Sequence, residues 1–254
     1  MSDKYNEHEL EESIIQMFQE KGYERIKSDS KWLTERKLDE YVIEDDIYSA
    51  LHKINPQINR SLFDEVVKTI KHLHGLKLIE RNKLFHKYLI DGIIVQDNHS
   101  NVNSLVKIID FENINNNSFK IVSQVKFNEG RATRIPDIII YINGIPLIIF
   151  ELKSIENRED STIENAYEQL GGNSENSGYR YDIPTIFNYN VFCVISDGIN
   201  NRLGTITSTF ERYSEWKSVD GENVYSIHSV NKLDVMIDGV FEKERLLDII
   251  MNNI

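Results

Sequence analysis

The segment 134–154, RIPDIIIYINGIPLIIFELKS, carries three ionisable side chains inside an otherwise apolar stretch. Asp137 stands near its start, and Glu151 and Lys153 stand near its end. Burying such groups is costly unless they pair with one another or bind a cation. Two carboxylates offer the hard oxygen ligands that Mg²⁺ prefers, and the backbone carbonyl of Leu152 is a predicted further ligand. The spacing therefore predicts a Mg²⁺ site with a lysine beside it.

The chemistry expected from this set is metal-assisted hydrolysis of a phosphodiester. A bound Mg²⁺ lowers the pKa of a coordinated water and offsets the charge that develops on the phosphate. Lys153 can orient or deprotonate that water, or neutralise phosphate charge. The alternative interpretation is a surface hairpin on which Glu151 and Lys153 form an exposed ion pair. The continuous apolar runs argue against it, because they are typical of strands buried on both faces.

A β-hairpin must position these residues, since two apolar runs are joined by the Asn-Gly pair at 143–144. A two-residue turn would place Asp137 and Glu151 on opposite faces of the hairpin. A three-residue loop over 142–144, with its glycine in the left-handed conformation, would place them on the same face. Lys153 shares the face of Glu151 because side chains alternate along a strand. We therefore predict the three-residue loop.

The rest of the chain changes from helical to strand-like patterning. Residues 7–21 and 41–76 have apolar positions at helical spacing. From residue 85 onward, short β-rich runs alternate with polar turns. The predicted strands are 85–95, 104–111, 119–127, 137–142, 146–153 and 189–198.

Helical segments also interrupt and follow these strands. A helix is predicted over 161–170, with Ser161 and Glu164 as a capping box, and further helices over 204–217 and 242–254. We therefore predict an α/β fold with a mixed central sheet flanked by helices. The predicted organisation is a helical N-terminal part at 1–80, packed on a core domain at 81–254.

The composition predicts a cytoplasmic protein. The single cysteine, Cys193, lies in an apolar run and cannot form an internal disulfide, which favours a reducing compartment. The N-terminus is acidic and polar, unlike a secretory signal. Polar residues interrupt the longest apolar stretch, so no membrane association is expected.

The catalytic hairpin resembles the signature of the restriction-endonuclease-like, PD-(D/E)xK nuclease superfamily, which is Pro-Asp followed by Glu-x-Lys. The resemblance extends to the N-terminal nuclease domain of type I restriction R subunits. It rests on the order of the segments 81–95, 106–127, 134–154 and 191–217, and on an opening helix that ends in EKGYE. It covers essentially the whole chain and is most specific over 85–217.

The resemblance implies a Mg²⁺-dependent endodeoxyribonuclease of a type I restriction enzyme. The expected partners are DNA, methyltransferase and specificity subunits, and motor domains that use ATP. The chain has no Gly-Lys dipeptide and hence no Walker A loop, so we expect the motor to lie outside these residues. The alternatives are a nuclease of the same superfamily in DNA repair or another defence system, and a non-catalytic scaffold with a degenerate nuclease fold.

The family also implies a glutamine followed four residues later by a tyrosine, on a helix beside the active site. Gln169 lies in the expected helix, but residue 173 is Asn. Tyr179 and Tyr181 are therefore the candidates for the tyrosine. An ordinary solvated residue is the alternative for Gln169.

Four further residues are accessory candidates. Many superfamily members place an acidic residue on the first helix, which suggests Glu11, although a surface acid is the common alternative. Gln124 precedes the hairpin and either lines the cleft or is a satisfied amide on the sheet. Arg131 and Arg134 are candidates for binding DNA phosphates, with a solvated loop as the alternative.

The net charge of −12 bears on how such a protein would hold DNA. Phosphate neutralisation supplies most of the affinity of DNA-binding proteins, so an acidic chain should bind DNA weakly by itself. We expect other domains or subunits to deliver the DNA. A local basic patch and metal ions would then hold it here.

Overall fold

A six-stranded mixed sheet forms the centre of the fold. The computed structural model describes residues 7–97, 102–153, 162–172, 174, 176–224 and 232–252. The strands are β1 (Glu24–Arg25), β2 (Ile93–Gln96), β3 (Asn103–Val106), β4 (Phe119–Ser123), β5 (Phe127–Asn128), β6 (Thr133–Arg134), β7 (Ile138–Ile142), β8 (Ile145–Leu152), β9 (Phe192–Ser196) and β10 (Asn201–Gly204). The central sheet has the order β1-β4-β7-β8-β9-β10.

The pairing within the central sheet is both parallel and antiparallel. β4, β7 and β8 pair antiparallel in succession, and β10 pairs antiparallel with β9. β1 runs parallel to β4, and β8 runs parallel to β9. The pairs β2–β3 and β5–β6 form two small separate sheets.

Helices pack around this sheet and confirm the predicted fold class. They are α1 (Glu7–Glu20), α2 (Lys31–Glu35), α3 (Glu44–Ile54), α4 (Phe63–Lys71), α5 (Leu78–Asp91), α6 (Ile163–Leu170), α7 (Tyr179–Asp182), α8 (Pro184–Phe187), α9 (Lys232–Val240) and α10 (Lys243–Asn252). Short 3₁₀ turns occur at Arg60–Leu62, Ile114–Asn116 and Phe210–Arg212. No helix in the described ranges is both long and apolar enough to cross a membrane.

The N-terminal helices and the sheet share one hydrophobic core. Phe18 of α1 is fully buried, and its ring lies edge-on to Phe150 of β8 with 5.8 Å between the ring centroids. β1 follows α1 directly and adds an edge strand to the sheet. Helix α5 runs through residues 80 and 81, so the division of the chain at that point remains a proposal.

The prediction of a strand over 85–95 was wrong for most of its length. Residues up to Asp91 belong to α5, and the strand β2 begins only at Ile93. Phe85 and Leu89, four residues apart, are both buried on one side of the helix. The aromatic and β-branched content of the segment hid this helical spacing. Gly92, with φ of 84°, separates the helix from the strand.

The prediction of a helix over 204–217 was also wrong. Within it only Phe210–Arg212 forms a single 3₁₀ turn. The hydroxyls of Thr205 and Ser208 bond to each other, and that of Ser208 also accepts from the Thr205 amide. Such local bonds compete with helical hydrogen bonding, which explains the irregular path.

Other boundaries also differ from the predictions. The strand predicted over 104–111 ends at Val106, and the one predicted over 189–198 spans Phe192–Ser196. The strand predicted over 119–127 is interrupted at Gln124, which has a φ of 54°. The predicted helix cap, Ser161, lies outside the described residues. Helix α6 is capped by Thr162, whose side chain accepts a hydrogen bond from the Asn165 amide at 3.4 Å.

Candidate active site

The β7–β8 hairpin turns on two residues, so the predicted three-residue loop was wrong. Asn143 and Gly144 have φ of 52° and 76°, as the favoured two-residue hairpin turn requires. Tyr141 pairs with Pro146, whereas Ile140 pairs with Ile148. The strand β8 therefore has one extra residue in a β-bulge, which restores the alternation that the two-residue turn would have broken.

The bulge places Asp137 and Glu151 at equivalent positions on the two strands. The register beyond it pairs Ile138 with Phe150, so Asp137 and Glu151 stand one step further along. Asp137 is 5% exposed and Glu151 is fully buried. All eight residues of β8 are buried, which contradicts the alternative of a surface hairpin.

The two carboxylates differ in how fully they are bonded. Asp137 Oδ2 accepts a hydrogen bond from the Leu152 amide at 2.7 Å, and its Oδ1 accepts one from Gln124 Nε2 at 3.3 Å. Glu151 Oε1 accepts from Lys153 Nζ at 2.8 Å. Glu151 Oε2 has no hydrogen-bond partner among the described residues. A buried anion with an unpartnered oxygen is energetically costly.

Burial sets the protonation behaviour of the pair. It raises the pKa of Glu151, and the nearby charge of Asp137 raises it further. Burial also raises the pKa of Asp137, while the hydrogen bond from the Leu152 amide lowers it. Both carboxyl groups therefore ionise at a higher pH than a free carboxyl group, although Lys153 partly offsets the effect of burial.

Lys153, Gln169 and Tyr179 form a hydrogen-bonded chain beside the carboxylates. Lys153 Nζ donates to Gln169 Oε1 at 2.6 Å as well as to Glu151. Gln169 Nε2 donates to the Tyr179 hydroxyl at 2.7 Å, which in turn donates to the Ile135 carbonyl at 3.1 Å. Gln169 is therefore not an ordinary solvated residue.

The structure separates the two tyrosine candidates. The Tyr179 hydroxyl contacts Gln169, whereas Tyr181 lies under the guanidinium of Arg131, 4.5 Å from the ring centroid, and 36% of it is exposed. Tyr179 comes ten residues after Gln169 rather than four, and the intervening turn through Gly171 and Gly178 brings it back.

Glu11 and Gln124 meet on the other side of Asp137. Glu11 is buried on α1, and its Oε2 accepts from Gln124 Nε2 at 2.5 Å. The same amide nitrogen contacts Asp137, so Gln124 links the two carboxylates. Its left-handed backbone is uncommon for a residue other than glycine, and such strain often occurs at functional sites.

The two arginine candidates are bonded to the segment that holds Tyr179. Arg134 forms an ion pair with the buried Asp182 at 2.5 Å, and Arg131 donates to the Tyr181 carbonyl. A phosphate would have to compete with Asp182 for Arg134. The role of both arginines in DNA binding remains a prediction, as does the role of the Leu152 carbonyl.

Two residues near the site were not anticipated from the sequence. Asp182 anchors Arg134, and the charge of Glu7 contributes to the raised pKa of Asp137. Glu7 lies one helical turn before Glu11, so the spacing of the two acids could have indicated from the sequence that both lie on one face of α1. Nothing in the local sequence distinguishes Asp182 from a surface acid.

Comparison with known proteins places this chain in a family. The family described as "Type I restriction enzyme R protein N terminus" matches residues 4–212. The type I restriction enzyme HindI endonuclease subunit of Haemophilus influenzae is 34% identical over 254 residues, covering 96% of this chain and 23% of that subunit. The putative type I restriction enzyme MjaIXP endonuclease subunit of Methanocaldococcus jannaschii is 29% identical over 228 residues, covering 82% of this chain and 21% of that subunit.

These matches cover most of the chain but only about a fifth of the length of the two relatives. The family match includes the hairpin with Asp137, Glu151 and Lys153, and the helix with Gln169. The resemblance read from the sequence is thereby confirmed, and the chain belongs to the family of type I restriction enzyme R protein N-terminal domains.

Proposed function

We propose that this chain holds the DNA-cleaving site of a type I restriction enzyme, and that Asp137 and Glu151 bind Mg²⁺ there. The observation that carries the proposal is the meeting of two buried carboxylates with Lys153 at the open end of a buried hairpin. The names of the curated relatives, which are endonuclease subunits, support the same activity.

The residues fit a hard divalent cation. Glu151 Oε2 is buried and lacks a partner among the described residues, so a cation would compensate it. Carboxylate oxygens are ligands that Mg²⁺ prefers, and the Leu152 carbonyl is a third candidate ligand. When bound, Mg²⁺ would lower the pKa of a coordinated water and offset charge on the scissile phosphate.

The protein's own groups position the reacting atoms. The Lys153 ammonium, between Glu151 and Gln169, is placed to orient the attacking water or to donate to a phosphate oxygen. Gln169 is fixed by Tyr179 and so limits the positions of Lys153. The Leu152 amide and Gln124 fix the orientation of the Asp137 carboxylate.

The wider assembly follows from the family. We infer that the site acts in the cytoplasm, on DNA that ATP-driven motor domains bring to it. Methyltransferase and specificity subunits would complete the enzyme. The net charge of −12 is consistent with such delivery, because it disfavours tight DNA binding by this part alone.

Substitution of the carboxylates in the complete enzyme tests the proposal. Asp137→Ala and Glu151→Ala should each abolish DNA cleavage while ATP-driven translocation continues, because the carboxylates serve only the metal. Lys83→Ala, at an exposed position of α5, is the matched control and should cleave normally. Cleavage by either carboxylate variant at close to the wild-type rate would refute the assignment.

A further inference from the structure

A groove of about 1080 Å³ opens beside the candidate active site. Its walls come from the start of α1, from residues 25–38, and from residues 123–126. Glu11 and Gln124 form its inner end, and Gln124 contacts Asp137. The groove is larger than typical small-molecule pockets and so has room for a polymer.

The charge of this groove differs from that of the whole chain. Its lining contains four lysines and arginines and three acids, whereas the chain has 29 and 41. One cation and one acid of the lining neutralise each other, because Arg25 donates to both carboxylate oxygens of Glu12 at 2.6 and 2.8 Å. The groove is therefore less acidic than the chain as a whole, and Lys27, Arg36 and Lys126 remain against the acids Glu11 and Asp29.

The guanidinium of Arg36 is already hydrogen-bonded within the wall of the groove, so its charge is not free to bind a ligand. Its guanidinium donates to the backbone carbonyls of Lys37, Glu40 and Lys126. It also lies over the Phe127 ring, 4.5 Å from the centroid. These contacts fix the backbone at Lys126, and they therefore determine the point from which its side chain extends.

Lys27 and Lys126 are the cations left for a ligand. Both are exposed, and neither forms an ion pair with an acid in the described part of the chain. Arg131 and Arg134, by contrast, are bonded to the 181–182 segment. Among the described residues, Lys27 and Lys126 lie on the side of the carboxylates that Gln124 occupies.

The lining also indicates which part of a nucleic acid would be recognised. Apart from His8 it contains no aromatic side chain. Single-stranded nucleic acid is bound largely by stacking of bases on aromatic rings. A groove with lysines and hydroxyls but no stacking surface suits the phosphate backbone of a duplex.

We propose that this groove binds the phosphate backbone of duplex DNA beside the scissile bond, through Lys27 and Lys126. The proposal rests on the proposed function, since it concerns how the same site receives its substrate. Lys27 and Lys126 would then form the local basic patch that we expect on an acidic chain that holds DNA.

The salt dependence of DNA binding tests the groove without relying on catalysis. Fluorescence anisotropy of the 254-residue chain with a labelled duplex, in metal-free buffer, gives the slope of log K against log salt concentration. Each phosphate contact contributes about 0.9 to that slope. The double variant Lys27→Ala/Lys126→Ala should therefore lower the slope by about 1.8.

The control is Lys83→Ala/Lys87→Ala, which removes the same charge from α5. The side-chain amide of Asn82 in that helix donates to the Asn190 carbonyl, near the start of β9. Glu151 lies at the opposite end of the parallel β8–β9 pair. An equal slope change in both double variants, with thermal melts showing both folded, would overturn the proposal. Tighter binding of a single strand than of a duplex of equal length would also overturn it.

The two proposals fail in different ways. If Asp137→Ala leaves cleavage intact, the active-site assignment is wrong, but the salt slopes still report on the groove. If the groove assignment alone is wrong, the carboxylate variants still abolish cleavage while the two lysine variants behave alike.

Discussion

The two ends of the β7–β8 hairpin both bury polar groups, but only one end satisfies them. At the turn, Asn143 is 1% exposed and its side-chain amide bonds to Ser118, Ile108 and Asn117 at 2.8–2.9 Å. At the open end, Glu151 is fully buried and one of its oxygens has no partner in the described ranges.

Under the proposed function, this difference separates residues that stabilise the fold from residues that would bind a metal ion. At the turn, the complete set of hydrogen bonds lowers the free energy of the folded chain without any ligand. An incomplete set of bonds at the open end raises that energy, and a bound cation would compensate it. Substitutions at the two ends should therefore change stability in opposite directions.

The largest stability change is expected at the turn. Asn143→Ala removes three hydrogen bonds and puts alanine at a φ of 52°, so the free energy of unfolding should fall by roughly 3 kcal/mol. Urea unfolding measures this, with the exposed Asn115→Ala as the control. A loss at Asn143 below about 0.5 kcal/mol would contradict the comparison, because exposed sites show such values.

Glu151→Gln should have the opposite effect on the metal-free chain. The folded chain raises the pKa of Glu151 above its usual value of 4.5, so it binds more protons than the unfolded chain. Wild-type stability should then be greatest at acid pH, as far as this group is concerned, and fall as pH rises from 4.5 toward the raised pKa.

Urea unfolding across this pH range measures the effect. Glu151→Gln should reduce the fall and be at least as stable as wild type at neutral pH, although it loses cleavage. The prediction would be contradicted if Glu151→Gln were less stable than wild type at neutral pH and its stability kept the full pH dependence.

A smaller effect should distinguish the two tyrosines. Tyr179→Phe removes the hydroxyl that fixes Gln169, so cleavage by the complete enzyme should fall about tenfold, the effect of roughly one hydrogen bond. Tyr181→Phe should leave the rate unchanged. Equal cleavage rates for the two variants would show that the Tyr179 hydroxyl does not help to position Gln169 and Lys153.

The candidate catalytic residues and the fold class could be predicted from the sequence, because both depend on local patterns. Asp137 and Glu151 stand out as acids within apolar strands, and the Asn-Gly pair marks the hairpin turn. The shared face was predicted correctly but for the wrong reason. A β-bulge in β8 produces it, and Pro146 beside the bulge was the one local sign of it, because proline within a sheet is largely confined to edge strands, strand starts and bulges.

Other features depend on contacts that are remote in sequence. Gln169 meets Tyr179 only because the chain folds back through a turn, and Arg134 is bound by Asp182, 48 residues away. The groove beside the site combines three separate segments. Such surfaces depend on tertiary packing and are not visible in local periodicity.

Metal binding tests the central claim most directly. Titration calorimetry of the 254-residue chain with Mg²⁺ should detect binding that Asp137→Asn and Glu151→Gln each weaken by at least about tenfold, because loss of even an outer-shell partner of a metal ligand costs about that much. Lys83→Ala should bind Mg²⁺ like the wild type. Wild-type affinity in both carboxylate variants would contradict the claim that Asp137 and Glu151 share one metal ion.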